Sequence, residues 1–214
     1  MITGKLRDYL YYEEEGIALL KGDCLEILPL MEPGSVDLVL TDPPYGLGKK
    51  LNGGSWGATV DHKEVLEWDK DTPDDWLNYI FATSFARSLI IWGGNYYRLP
   101  ISRGWLIWDK PDAAPSMGAC ELAWTNIDMP TKRFRYSVGG WTSERVDHPT
   151  QKPLALINWC LELVPEAKTI LDPFSGSGTS LVAAKNQGKK AVGIEIHEPY
   201  LKIAVERLRQ EILL

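Results

Sequence analysis

Four short apolar runs constrain this chain more than any other feature: residues 36–41 (broken only by Asp37), 89–92, 169–171 and 191–194. Runs of that length, rich in branched residues and stopped by turn residues or acids, read as strands buried on both faces. Two further strands are expected at residues 17–21 and 105–108, and two more at 121–125 and 132–136. Helical patterns lie between them. Asp23 can cap a helix over 24–30, and Thr72-Pro73-Asp74-Asp75 combines a hydroxyl cap, an early proline and first-turn acids. The helix it opens carries Trp76, Leu77, Ile80, Phe81, Ser84 and Phe85 along one stripe. Others are expected over 154–164, over 180–186 with Gly188 as carboxyl cap, and from Pro199 onward. Strands alternating with helices predict an α/β fold, with a doubly wound, mostly parallel sheet covered on both faces. The length of 214 residues suits one such domain, 1–214.

Acids stand at or just past five strand ends: Asp23, Asp42, Asp109, Asp172 and Glu195. Open α/β sheets bind ligands along that edge. A single acid there can be a helix cap, as for Asp23. Five suggest a ligand bearing hydroxyls, amino groups or positive charge. Residues 174–178, Phe-Ser-Gly-Ser-Gly, supply a tight strand-to-helix turn whose glycines admit a ligand to the backbone, and Glu195 follows where an acid can take ribose hydroxyls. The third glycine of a dinucleotide fingerprint is replaced by Leu181, and no second mononucleotide half follows. A nucleoside carrying a sulfonium and an ammonium, S-adenosylmethionine, fits better than a nicotinamide.

Asp42-Pro43-Pro44-Tyr45 closes the strand at 36–41. The prolines fix φ and remove two backbone donors, so a row of acceptors stands beside a flat ring. That suits a planar group carrying an NH₂; an ordinary turn with a half-buried tyrosine is the bland alternative. Cys24, Cys120 and Cys160 are scattered, which predicts reduced thiols, with Cys120 and Cys160 in the core. The three histidines are equally dispersed, so no metal site is expected. The net charge of −6 counts against a nucleic-acid partner, but residues 129–152 carry Lys132, Arg133, Arg135, Arg145 and Lys152 against Glu144 and Asp147. Phe134, Tyr136 and Trp141 are interleaved there, as for backbone contact and base stacking. Lys49 and Lys50 are a second basic candidate. No spanning-length apolar run or signal-like start is present, so a cytoplasmic protein is expected.

With His148-Pro149-Thr150-Gln151-Lys152-Pro153 between them, the proline and glycine motifs resemble the DNA amino-methyltransferases of the permuted (beta) class, whose catalytic motif precedes the cofactor motif. The likeness runs from about Ile17 to the end and includes Gly22-Asp23-Cys24, residues 91–95 and residues 105–110. It implies a Rossmann-like fold that binds S-adenosylmethionine and releases S-adenosylhomocysteine. The family's cofactor positions fall on Asp172, Phe174, Gly176, Gly178 and Thr179 around the methionine and nucleoside, Glu195 on the ribose, and Asp23 and Cys24 on the adenine. Thr150, Gln151 and Lys152 fall near the cofactor carboxylate, though Lys152 reads equally well as a solvated charge before a helix. Catalysis falls on Asp42, Pro43, Pro44 and Tyr45, acting on a base turned out of DNA. The leading Asp, where cytosine enzymes more often have Ser, favours adenine N6. Cytosine N4, an RNA adenine, or a non-catalytic nucleoside-binding subunit are the rivals. DNA recognition would reside in 46–71 or 112–147, or come from a second copy in a homodimer.

Overall fold

Because successive residues of a strand face opposite sides of a sheet, an unbroken apolar strand must be covered twice. The computed structural model describes residues 2–46, 74–113, 118–137, 139 and 151–210, and within them the chain meets that demand. The strands are β1 (Leu10–Glu14), β2 (Ile17–Lys21), β3 (Val36–Thr41), β4 (Ala86–Trp92), β5 (Trp105–Asp109), β6 (Cys120–Thr125), β7 (Lys132–Arg135), β8 (Thr169–Asp172) and β9 (Lys190–Glu195). The helices are α1 (Cys24–Ile27), α2 (Asp74–Ala82), α3 (Leu154–Glu162), α4 (Thr179–Asn186) and α5 (Glu198–Arg209). One face of the sheet buries Leu19, Leu38, Leu40 and Ile90 against α3, α4 and α5. The other buries Ala18, Leu20, Val39 and Ile91 against α1 and α2.

The strand order is β1-β2-β9-β8-β3-β4-β6-β5-β7. From β2 through β4 every pairing is parallel. Antiparallel β6 is inserted between β4 and β5, β7 runs parallel to β5, and β1 closes the opposite edge antiparallel to β2. The doubly wound, mostly parallel sheet expected from the sequence is therefore present. No helix among the described residues is long and apolar enough to cross a membrane.

Some details differ. Strand β1 was not anticipated: Leu-Tyr-Tyr-Glu-Glu is only partly buried at a sheet edge and lacks the apolar run of a covered strand. The helix expected over 24–30 is α-helical only to Ile27 and continues as a 3₁₀ turn, Leu28–Leu30. Pro29 has no amide hydrogen to sustain the α pattern there. Helix α2 stops at Ala82 instead of running to Phe85, because Ser84 takes φ of 50° and reverses the chain. Phe85 is still fully buried, ahead of β4. Cys160 is buried as expected, but Cys120 is exposed, at the first position of β6, beyond the residues of that strand that pair with β4.

Leu38 lies at the centre of the sheet and is fully buried. Leu38→Ala should cost about 2–5 kcal/mol in urea unfolding, the range for truncating a core leucine. A loss under about 1 kcal/mol would mean the β3–β8 seam is not close-packed.

Candidate active site

The carboxyl ends of β2, β9, β8 and β3 surround a cleft of about 570 Å³, the size of a small-molecule site. Asp23, Asp42, Asp172 and Glu195 all line it. Asp109, the fifth strand-end acid, is not among the lining residues and stands 3.8 Å from Arg135 and 3.9 Å from Arg133. Insertion of β6 carries β5, and Asp109 with it, one strand further from the cleft.

The glycine turn forms one wall. Gly176 and Gly178 have φ of 49° and 77°, and a Cβ on Gly178 would meet the Ala204 Cβ at 2.8 Å, so close packing against α5 requires glycine there. Glu195 accepts from Gly176 N (2.9 Å) and His197 N (2.8 Å). Arg207 reaches from α5 to donate to Ser177 O (2.7 Å), Ser177 Oγ (3.1 Å) and Thr179 Oγ1 (2.9 Å). Asp172 accepts from Thr41 Oγ1 (2.7 Å), Ser180 Oγ (2.5 Å) and Phe174 N (3.1 Å). Asp172 and Glu195 therefore brace the turn as well as lining it. Burial raises Asp172 to about 6 and also raises Glu195. Asp23 caps α1 by accepting from Leu25 N at 2.8 Å. Next to it, burial, and then the charge of Asp23, push the Cys24 thiol up to about 12.

The proline motif forms the adjoining wall. Asp42 Oδ1 accepts from the Tyr45 hydroxyl, and the Tyr97 hydroxyl donates to Pro44 O. The Tyr45 ring stacks on Tyr96, with centroids 4.9 Å apart. Gly93, at φ of 66°, abuts the Tyr45 ring, and a Cβ there would come 2.0 Å from Tyr45 Cε1. Lys152 Nζ stands 2.5 Å from Asp42 Oδ2 and 3.1 Å from Glu121 Oε2, and Lys110 Nζ stands 2.5 Å from Glu121 Oε1. Lys152 is thus no solvated charge, its side chain being 6% exposed. Its ammonium is directed to two carboxylates of this wall.

Burial raises the Asp42 carboxyl, against the opposing charge of Lys152. For Lys152, burial disfavours the ammonium, but Asp42 and Glu121 outweigh it and hold the pKa above the ordinary lysine value. Burial likewise opposes ionisation of Glu121, and the two lysines outweigh it. Burial and then Asp42 keep Tyr45 protonated. Glu121, Lys110, Tyr96 and Tyr97 were missed in the sequence. Glu121 left a signal there: an acid entering the otherwise apolar strand Leu122-Ala123-Trp124.

On β7, Lys132 is exposed and the Arg133 and Arg135 side chains are each 67% exposed. Phe134 is not free for a base: it stacks on Trp159 at 5.2 Å and on Tyr136 at 5.7 Å. Gln151 is buried in the cleft wall. Lys49, Lys50, Trp141, Arg145 and Thr150, like most of the expected recognition segment 46–71, lie outside the described residues. Among the described residues no group of three His, Cys, Asp or Glu side chains could hold a metal ion.

A largely parallel sheet whose glycine turn and proline turn share one cleft is a Rossmann-like arrangement. Solved structures agree on the fold: the chain matches PvuII DNA methyltransferase (cytosine-N4-specific) with a TM-score of 0.63 at 14% identity, covering 96% of this chain and 91% of that one. It matches the M1.HpyAVI–SAM complex with a TM-score of 0.55 at 21% identity, covering 91% and 100%. Residues 107–206 match the N6/N4 methyltransferase family model, described as DNA methylase. Among curated relatives, the Type II methyltransferase M2.LlaDCHI of Lactococcus lactis subsp. cremoris is 29% identical, covering 97% of this chain and 94% of its own length. The Type II methyltransferase M.ScaI of Streptomyces caespitosus is 27% identical, covering 94% and 84%. The chain is thus similar, over residues 107–206, to the N6/N4 DNA methylase family model and, along nearly its whole length, to curated Type II methyltransferases.

The size of the cleft and its lining acids fit S-adenosylmethionine, whose sulfonium and ammonium call for counter-charge. A bound cation favours ionised Asp172, so binding below about pH 6 must expel a proton. The Kd should rise as pH falls below about 6, approaching tenfold per unit, and the calorimetric enthalpy should vary with the buffer's ionisation heat. A Kd independent of pH from about 7 to about 5 would contradict this reading of Asp172.

Proposed function

We propose that this protein methylates the exocyclic N6 of adenine in DNA, using S-adenosylmethionine. The observation that carries the reading is that Asp42 and Pro44 line the same cleft as Gly176 and Ser177, so an acceptor base and a methyl donor can meet in one cavity. The family-model match over residues 107–206 and the likeness to Type II methyltransferases support DNA amine methylation as the class of reaction, and the leading Asp of the motif favours adenine.

The chemistry follows from the residue types. An exocyclic amine is a poor nucleophile because its lone pair is delocalised into the ring. Asp42 and the Pro43 carbonyl accept its two N–H groups and draw the nitrogen toward a pyramidal form whose lone pair points at the methyl group. Bound S-adenosylmethionine supplies that methyl on a sulfonium. The nitrogen lone pair forms the N–C bond in line with the breaking C–S bond, whose electrons go to sulfur. The surplus proton leaves past Asp42 to water. Tyr45, held flat against Tyr96, is the ring on which the extruded base stacks. The acids, the glycine turn and Gln151 hold the cofactor. Cys24 takes no nucleophilic part, since its thiol stays protonated.

In this reading residues 1–214 act as one methyltransferase domain. Lys132, Arg133 and Arg135, with Lys49, Lys50 and Arg145, contact phosphates, and segments 46–71 and 112–147 or a second copy supply recognition.

Methylation-free DNA or RNA incubated with radiolabelled cofactor, then digested to nucleosides, tests the assignment. Label is expected in N6-methyldeoxyadenosine. Label in N4-methyldeoxycytidine, or in RNA alone, would overturn the substrate, and none would overturn the enzyme. Asp42→Ala should lower turnover by about 10²–10³-fold while leaving cofactor affinity unchanged. Replacing Arg133 and Arg135 together with Ala should weaken DNA binding and flatten its log–log salt dependence by about two units, at little cost in stability. An unchanged salt slope would remove β7 from the DNA path.

A further inference from the structure

The acceptor carboxylate presents a difficulty that the proposed reaction has to resolve. Both Asp42 oxygens are engaged: Oδ1 by the Tyr45 hydroxyl, Oδ2 by the Lys152 ammonium at 2.5 Å. A second lone pair of Oδ2 remains open, but a neutral amine is a weaker donor than an ammonium and, while Lys152 stays at 2.5 Å, meets an oxygen whose acceptor strength is already drawn upon. Lys152 is buried, and water is not an available destination for its charge. One anion is already within reach. Glu121 Oε2 lies 3.1 Å from the same nitrogen and is buried without a well-aligned hydrogen bond, while Oε1 is held by Lys110 at 2.5 Å.

We infer that Glu121 is a positioning residue that receives the Lys152 ammonium when the target amine engages Asp42. The inference rests on Asp42 being the amine acceptor. In the resting arrangement Lys152 is bonded mainly to Asp42; in the working arrangement it is bonded to Glu121, and Asp42 Oδ2 accepts the amine N–H. No proton moves. Two carboxylates and two ammoniums remain grouped in both arrangements, so no uncompensated charge is buried at either stage. Lys152 then serves the acceptor base, not the cofactor carboxylate.

The groups facing Asp42 are Lys152 before α3, Tyr45 after β3, Glu121 on β6 and Asp172 on β8; Lys110, after β5, faces Glu121. Single-turnover methyl transfer to DNA by the full chain, measured across pH, separates their roles. Glu121→Gln leaves Lys152 with one anion, so the plateau rate should fall about ten- to hundredfold. Its acid limb should move to lower pH, because a negative charge opposing Asp42 ionisation is gone. Lys152→Gln should move that limb to higher pH, since the charge that most opposes the effect of burial on Asp42 is then gone. Cofactor Kd should match wild type in both, which also reports an intact cleft, and Glu121→Asp should recover part of the plateau. Asp172 is common to all three proteins and cannot create the difference.

Limbs that coincide with wild type, or weakened cofactor binding in Lys152→Gln, would overturn the exchange. Should Glu121→Gln fail to fold, a Glu121→Asp plateau and limb identical to wild type would overturn it equally. Absence of any methyl transfer by the wild-type protein would instead refute the underlying reaction.

Discussion

The site depends on one buried carboxylate that reacts with nothing. Asp172, at the end of β8, accepts from Thr41, the residue before Asp42, and from Ser180 and Phe174 on either side of the glycine turn. The strand that carries the acceptor motif and the loop that carries the cofactor turn are thereby tied to one side chain. In the proposed reaction, precise relative placement matters because the attacking nitrogen and the leaving sulfur must lie in line. Hydrogen bonds from three donors offset part of the cost of burying that charge.

A second buried cluster performs a different task. Asp42, Lys152, Glu121 and Lys110 come from four separate places in the chain and alternate in sign. Such a group is stable because each charge has an opposite neighbour, and it is adaptable for the same reason. Where Asp172 fixes distance, this chain of charges gives the acceptor motif room to exchange partners without exposing a bare ion.

The architecture was largely legible in the sequence. Runs such as 36–41 and 89–92 announce strands covered on both sides, and the acids after them mark the ligand edge. What escaped were features set by tertiary neighbours. Strand β1 borrows its pairing from β2, and its own side chains are too mixed to declare it. Asp109 has the same local setting as Asp42, but an antiparallel insertion moves it away, and no local pattern reports strand order. Lys152 looked like a charge near solvent because its partners, Asp42 and Glu121, lie 110 and 31 positions away in the chain. Phe134 sits in a basic segment yet turns inward to Trp159, an arrangement fixed by helix α3 and not by its own strand.

The grip of Arg207 on residues 177 and 179 has a consequence for the order in which the molecule is built. The turn that would cradle the cofactor is synthesised some thirty residues before the side chain that secures it. A growing chain therefore carries an unlatched version of that loop until nearly all of α5 has left the ribosome. A chain cut short before Arg207 carries the glycine turn without the guanidinium that holds it.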